Sequence, residues 1–405
     1  MAGRLVIIGA GEAALSALAS LRAADAPCAV TLVGDEPHLP YRRPPLSKAC
    51  LAGDVPADAL ALRPRDWFAG VELRLGRRAA AIDRSRREVR LDDGAALPYD
   101  ALLLCTGTRA RALPAALCGD RLGIHTLRSL DDAARLKREL EPGRRLLVVG
   151  GGYVGLEVAA AARMAGLAVT LVETGPRILG RVACAATADH LRALHRARGV
   201  DIREGVGLAA LSGRGRVEAA RLTDGTELPV DLVVAGIGAI PNQELAEAAG
   251  LAVANGIAVD AFCRTSDPAI LAAGDCASFP HEGARRRLES VQNATDQGAA
   301  AAATLLGAEK PYRPLPWFWS DQYDTKLQIA GLGEGHDRII VREGRRPQAR
   351  SFWYLAGGRL LAVDAIDDPA AYMTARRLLA AGISPDPALI ADGGAALGEL
   401  VRERA

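Results

Sequence analysis

Arg4-Leu-Val-Ile-Ile8 runs into Gly9-Ala-Gly11-Glu-Ala-Ala14 and then into an alanine-rich stretch that keeps helical spacing to about Ala24. A short apolar run, a glycine turn and a helix in that order are the entry to a parallel sheet covered by helices. In this G-x-G-x-x-A turn Gly9 permits the tight strand-to-helix reversal, Gly11 lets the backbone approach a pyrophosphate, and small Ala14 lets helix and strand pack closely. Ala29-Val-Thr-Leu-Val33 follows as a second strand, and Asp35, 24 residues beyond Gly11, stands where an acid would take a ribose hydroxyl.

The same unit recurs about 140 residues later. Arg145-Leu-Leu-Val-Val149 leads into Gly150-Gly-Gly152-Tyr153-Val154-Gly155, then a helix from about Leu156 to Ala165, then Ala168-Val-Thr-Leu-Val172 and Glu173, 21 residues after Gly152. Each such unit cradles one pyrophosphate at a helix N-terminus, so two units imply two different dinucleotides in one chain. Glu173 would accept from an adenosine ribose and repel a 2′-phosphate, which favours NADH over NADPH, although Arg177 lies close behind.

Composition fits this reading. A chain of 405 residues exceeds one ordinary core, and its 50% hydrophobic content, with 43 glycines and few aromatics, suits helix-covered parallel sheets in two or three domains. A formal net charge of +2 gives no general reason for nucleic acid or membrane binding. Seven cysteines without a C-x-x-C pair indicate neither a disulfide framework nor a paired redox disulfide. The apolar run beginning at Arg4 leaves no room for a leader peptide, and no run is long enough to span a bilayer, so a soluble, cytoplasmic protein is expected. His190 and His195, five apart on an expected helix, have the wrong spacing for a shared metal face and are expected to be exposed. No metal site is expected.

A third signal is Thr265-Ser-Asp-Pro-Ala-Ile-Leu-Ala-Ala-Gly274-Asp275, an apolar strand ending in an acid that needs a partner or a ligand hydroxyl. Val291-Gln-Asn-Ala-Thr-Asp-Gln-Gly then enters an alanine helix whose positive end could face a flavin pyrimidine.

Taken together, Tyr41-Arg-Arg43-Pro-Pro-Leu-Ser-Lys48, Thr106-Gly107, Gly150-Gly-Gly-Tyr-Val-Gly-Leu-Glu157, Gly236-Ile-Gly238-Ala-Ile-Pro-Asn242, Gly274-Asp-Cys-Ala277 and Trp317-Phe-Trp-Ser-Asp-Gln322 resemble the FAD-dependent NADH:ferredoxin reductases that serve oxygenases. Within that family the pattern is most similar to the putidaredoxin reductase-like proteins, through Trp317 to Tyr323, Glu289-Ser-Val291 and Asp337 to Arg342. The resemblance implies an α/β fold like glutathione reductase, with two Rossmann-type dinucleotide-binding domains and an α+β C-terminal domain. Residues 1–108 and 237–314 would bind FAD, 109–236 NAD, and 315–405 would form the interface domain.

The same resemblance implies that Asp35, Lys48, Ala79, Arg128, Asp275 and Val291 line FAD, while Gly152, Gly155, Glu157 and Glu173 line NADH. Gly9, Gly11, Ala14, Arg43, Thr106, Gly107, Gly274, Gly150, Tyr153, Val154, Gly236 and Gly238 complete the cofactor-binding set from the quoted strings. Arg42 stands where an aspartate often precedes the Arg-Pro-Pro of the family. Lys48 would bring a positive charge to the flavin and pair with Glu157 beside the nicotinamide, giving the catalytic pair.

The implied reaction is hydride transfer from NADH to FAD, then single electrons to a [2Fe–2S] ferredoxin that feeds a cytochrome P450 or a Rieske oxygenase. The chain has no cysteine spacing for a cluster, so the iron–sulfur centre belongs on the partner. Ferredoxins are usually acidic, and Arg63, Arg65, Arg285, Arg286, Arg287 and Arg313, with Trp317 and Trp319, are candidate docking residues. Two rivals share the fold: a cysteine-based NADH peroxidase, oxidase or CoA-disulfide reductase, for which Cys50 is the one nearby thiol, and a signalling flavoprotein resembling apoptosis-inducing factor.

Overall fold

The N-terminal apolar run forms the central strand, Gly3–Ile8, of a five-stranded parallel sheet in the computed structural model, which describes residues 3–53 and 55–402. Cys28–Gly34 and then Val71–Leu75 lie on one side of it, Ala101–Leu104 and then Ile270–Ala272 on the other. Leu5 pairs with both Val30 and Ala101. Leu5, Ile7, Leu102 and Leu103 are fully buried, as strands covered on both faces require. The chain leaves the central strand for one side first and fills the other side later. The strand order therefore switches at the carboxyl end of Gly3–Ile8, where the glycine turn lies and where open sheets of this kind bind ligands.

Helices Glu12–Ala23 and Val291–Leu305 pack against each other beside this sheet, so closely that a Cβ on Gly298 would meet the Ala13 carbonyl oxygen at 2.2 Å. A three-stranded antiparallel meander, Ala79–Asp83, Glu88–Leu91 and Ala96–Pro98, is inserted ahead of Ala101–Leu104. By chain contacts these segments form one compact unit with residues up to Arg42, Asp58–Arg109 and Ala239–Pro314. The other unit holds Arg43–Ala57, Ala110–Gly238 and the chain from Leu315 onward.

The second unit repeats the parallel architecture around Arg145–Val149, flanked by Ala168–Glu173 and Asp201–Glu204 on one side and Leu232–Ala235 and Ile124–Thr126 on the other. Its helix Tyr153–Met164 begins a turn earlier than the sequence reading placed it, directly after Gly152. An antiparallel meander, Leu208–Ser212, Ala219–Leu222 and Glu227–Pro229, is again inserted, here ahead of Leu232–Ala235, the last strand of the sheet in sequence.

From Trp317 the chain changes to an antiparallel sheet in the order Trp317–Gln322, Thr325–Gly331, Arg359–Ile366, Arg350–Ala356 and Arg338–Glu343. Helix Pro369–Ala381 covers it with Tyr372, Ala375 and Leu378, and Asp368 caps that helix by accepting from the Ala371 N–H at 3.0 Å. Arg342, 4% exposed, donates to the carbonyls of Leu389, Ile390, Asp392 and Ala395 and so ties the last segment down. Among the described residues no helix is long and apolar enough to cross a membrane.

Candidate functional site: two dinucleotide cradles and a buried ion pair

In the first cradle Gly9 has φ +105°, and a Cβ there would lie 2.0 Å from the Cys105 carbonyl oxygen, so the reversal tolerates no side chain. Gly11 is the N-cap of helix Glu12–Ala23, with nothing within 4 Å of where its Cβ would stand. Ala14, on the first turn of that helix, is fully buried. Asp35 follows the second strand and is exposed. Thr106 donates its hydroxyl to the Asn242 carbonyl at 2.6 Å and its own carbonyl accepts from Asn242 Nδ2 at 2.8 Å, fixing the Thr106-Gly107 corner. Gly274 donates to Gln297 Oε1 at 2.8 Å, Asp275 lies 3.4 Å from the Thr108 hydroxyl, and Val291 opens the helix capped by Ser290. Ala79 starts the meander, half-buried.

The second cradle has the same build. A Cβ on Gly150 would lie 2.5 Å from the Gly236 carbonyl oxygen, and one on Gly155 would lie 2.1 Å from that of Gly150. Gly152, the N-cap, has open space beside it. Glu173 is held by two backbone donors, Gly151 N–H at 2.8 Å on one oxygen and Gly175 N–H at 2.7 Å on the other. Arg177 donates instead to the carbonyls of Ala183 at 2.8 Å and of Cys184, Gly180 and Ile178 at 3.4–3.5 Å. Its guanidinium is thus committed to backbone carbonyls of its own loop. Val154 is 43% exposed on the first turn, and Tyr153 packs its ring on Phe318. Gly236 and Gly238 follow strand Leu232–Ala235, and the Gly238 carbonyl accepts from Arg111 N–H at 2.9 Å.

A contrast between helices shows what these two turns are suited to hold. Among the described helices of eight or more residues, Ser129, Cys184, Ser290 and Asp368 cap theirs with a side chain, whereas those starting at Glu12 and Tyr153 have a glycine N-cap and no side-chain cap. Amides left uncapped beside open space at a positive helix end fit a pyrophosphate. The chain therefore has the donor sets for FAD and for a nicotinamide dinucleotide.

Lys48 and Glu157 meet within the second unit. The turn Pro44–Ser47 buries Leu46 and Ser47 and delivers Lys48 Nζ to 2.8 Å from Glu157 Oε2. Arg43 from the same turn donates to the Arg128 carbonyl at 2.9 Å. Glu157 lies on the buried face of helix Tyr153–Met164, its side chain 4% exposed. A charge so buried needs several donors, and it has them: the ammonium, the Ser47 hydroxyl at 2.5 Å, and the Ser320 hydroxyl at 2.6 Å on the other oxygen. Ser47 and Ser320 sit inside the strings singled out in the sequence, but their link to Glu157 spans 110 and 163 positions and had no local signal.

Two expectations need correction. His195 is fully buried, not exposed, with Nε2 2.8 Å from Gln322 Oε1, and His190 is half-buried. The spacing Ala188, Leu191, His195 puts the imidazole on the apolar face of helix Ala185–Ala197, and burial lowers its pKa from the ordinary value. Arg287 is 10% exposed, paired with Glu289 at 2.5 Å and donating to the Asp275 carbonyl at 3.2 Å, and Arg285 donates to the Val259 carbonyl at 3.0 Å. Arg287 is thereby tied into the fold, whereas Arg285 stays exposed, as do Arg63, Arg65 and Arg313. Cys50 is 7% exposed, and burial pushes its thiol up, away from the thiolate that a redox role needs.

Residues 3–298 match the family model described as pyridine nucleotide-disulphide oxidoreductase, and residues 317–401 match the one described as reductase C-terminal. Putidaredoxin reductase of Pseudomonas putida is 44% identical over 98% of this chain and 96% of its own. The ferredoxin–NAD(+) reductase component of the anthranilate 1,2-dioxygenase system of Burkholderia cepacia is 42% identical over 96% of each chain. Among solved structures, the covalent putidaredoxin reductase–putidaredoxin complex matches with a TM-score of 0.95 at 43% identity over 98% of each chain.

Proposed function

The chain belongs to the pyridine nucleotide-disulphide oxidoreductase family, among the ferredoxin reductases of oxygenase systems, and from that premise we propose that it is an FAD-dependent NADH:ferredoxin oxidoreductase whose hydride step is attended by Lys48 and Glu157. The observation that carries the reading is the pair of glycine-capped, side-chain-free helix starts at Gly11 and Gly152, one in each parallel sheet. FAD, when bound, supplies the hydride acceptor and the conversion from a two-electron donor to a one-electron iron–sulfur acceptor.

The chain's own residues bind and orient. Gly9, Gly11, Ala14, Asp35, Ala79, Thr106, Gly107, Gly274, Asp275 and Val291, with Arg43, Lys48 and Arg128, are assigned to FAD. Gly150, Gly152, Tyr153, Val154, Gly155, Glu157, Glu173, Gly236 and Gly238 are assigned to NADH. Residues 1–108 and 237–314 would then serve FAD, 109–236 NADH and 315–405 the interface. Glu157 holds the Lys48 ammonium at 2.8 Å, so that a fixed positive charge is available where negative charge develops on hydride arrival. No proton transfer from a side chain is needed. We place the protein in the cytoplasm, where NADH and reduced ferredoxins are available.

The partner is a [2Fe–2S] ferredoxin, and the oxygenase behind it a cytochrome P450, with a Rieske oxygenase as the alternative; the Trp317 to Tyr323 and Asp337 to Arg342 strings support the former. Reduction of one ferredoxin of each type by the purified holo-protein and NADH tests this. Efficient reduction of a P450-type ferredoxin is expected, with a Rieske-type ferredoxin reduced more slowly. Turnover only with peroxide or a disulfide overturns the reading.

A further inference from the structure

The string Trp317–Gln322 carries two buried polar side chains that no cofactor role absorbs. Ser320 and Gln322 alternate with Asp321 along the strand, so both point inward, and each is 1% exposed. Behind them lies His195, on a helix of another layer, 0% exposed. Three polar side chains in a core are costly unless every donor and acceptor is used, and apolar residues of the same size would serve packing as well.

Each polar side-chain atom has a partner, in one continuous chain. Tyr323 OH lies 3.4 Å from His195 Nδ1, His195 Nε2 lies 2.8 Å from Gln322 Oε1, Gln322 Nε2 donates to Ser320 Oγ at 3.1 Å, and Ser320 Oγ donates to Glu157 Oε1 at 2.6 Å. Chemistry fixes the direction at each link. A hydroxyl has one proton, and Ser320 can give it to the carboxylate only if Gln322 presents its NH2. Gln322 must then accept on its oxygen, which requires the proton of His195 on Nε2 and leaves Nδ1 to accept from Tyr323. A neutral imidazole meets both demands, and burial of His195 favours that form.

The far end of the chain is held by strain and charge. Tyr323 and Asp324 form a two-residue turn between Trp317–Gln322 and Thr325–Gly331, and Tyr323 sits there at φ +56°, a conformation unfavourable for a bulky residue. Arg198, at the end of the His195 helix, grips this turn, pairing with Asp324 at 2.7 Å and standing 5.0 Å from the Tyr323 ring centroid. The Tyr323 ring is thereby set 5.1 Å from the imidazole.

We propose that His195 and Gln322 are positioning residues for hydride transfer: they orient the Ser320 hydroxyl toward Glu157 and so hold its carboxylate, with Lys48, in a single ionised geometry. This rests on the reading of Lys48 and Glu157 given above. Replacing His195 by an apolar ring frees Gln322 to turn its oxygen to Ser320, which then withdraws its proton from Glu157.

The test uses the FAD-loaded protein and two readouts. The antisymmetric carboxylate stretch of Glu157, assigned by its loss in Glu157→Gln, reports the hydrogen bonds to that group directly. Anaerobic stopped flow gives the rate of flavin reduction at saturating NADH. His195→Phe is expected to shift the band and slow reduction about tenfold, the worth of one hydrogen bond to a charged group, with the dissociation constant of NAD+ unchanged. His195→Gln, which keeps a donor near the Nε2 position, is expected to restore both. A folded His195→Phe with the wild-type band and rate overturns the proposal. Should that variant not fold, Ser320→Ala decides by the same readouts, and wild-type values there overturn it equally. If Glu157→Gln itself reduces flavin at the wild-type rate, the catalytic reading of the ion pair falls, while the band shift in His195→Phe still reports whether the chain exists.

Discussion

Lys48 and Glu157 stand 2.8 Å apart, the carboxylate 4% and the lysine side chain 17% exposed, although 109 positions of sequence separate them. Removing one member of so buried a pair costs more than the pair is worth, because the other charge is left without its partner. Lys48→Met is expected to lower unfolding free energy by roughly 3 kcal/mol, whereas Glu157→Gln, which keeps polar contacts to Ser47 and Ser320 and leaves the less buried charge behind, is expected to cost under half of that. Denaturant titration of both variants checks the order; equal losses contradict it.

Gly152 and Gly155 lie in one turn and should respond to alanine in opposite ways. Gly155→Ala drives a Cβ to 2.1 Å from a backbone oxygen, so the fold of the second cradle must shift and thermal stability should drop. Gly152→Ala meets nothing within 4 Å, with φ −81° acceptable to alanine, so the melting temperature should stay within about 1 °C. It would nonetheless fill the room assigned to a pyrophosphate, and NAD+ affinity should fall roughly tenfold, as for one lost charge-assisted contact. Calorimetric melting beside equilibrium binding separates the two effects.

At Glu173 the expected outcome concerns coenzyme choice. Its oxygens are aligned by the Gly151 and Gly175 amides, and Arg177 is occupied by backbone carbonyls. Glu173→Ser should therefore raise KM for NADH about tenfold, the worth of a lost charged hydrogen bond, without making NADPH a good substrate. Efficient NADPH use by that single variant would show that Arg177 is available after all.

Asp364 gives a pH dependence with a definite sign. It is 1% exposed, accepts from Tyr354 and from Thr187 at 2.7 Å, and burial raises its carboxyl from 3.8 to about 6. The native state thus binds this proton more tightly than the unfolded chain. The group's contribution is present in full below pH ~4 and is lost as pH rises through about 6, a change of roughly 3 kcal/mol. Asp364→Asn should flatten this segment of the stability curve and be the relatively more stable protein above pH ~7. Parallel curves for the two proteins would contradict the assignment.

How much of this was legible in the sequence differs by element. Gly9, Gly11 and Gly150 to Gly155 declared themselves because a dinucleotide turn is local: strand, turn and helix lie within twenty residues, and each glycine has a steric reason that can be stated in advance. The second helix began a turn early because Gly152, rather than Gly155, is its cap. His195 was misread because its burial depends on Gln322, 127 positions away, although the spacing from Ala188 and Leu191 already placed it on an apolar face. Arg287 was misread for the same reason, its partners being a neighbouring carboxylate and the Asp275 carbonyl that only the fold brings near. Segment Arg43–Ala57 groups with Ala110–Gly238 and the C-terminal sheet through packing of Ala49–Ala52 on helix Tyr153–Met164, which chain order does not reveal.

The most direct test is a single turnover: FAD-loaded protein mixed anaerobically with NADH, or with NADH deuterated at the transferred position, in wild type and Glu157→Gln. Prompt loss of the flavin band in the wild type with a primary isotope effect, and a rate at saturating NADH at least about tenfold lower in the variant, is the predicted result. Reduction of Glu157→Gln at the wild-type rate with the same isotope effect would contradict the role given to the Lys48–Glu157 pair.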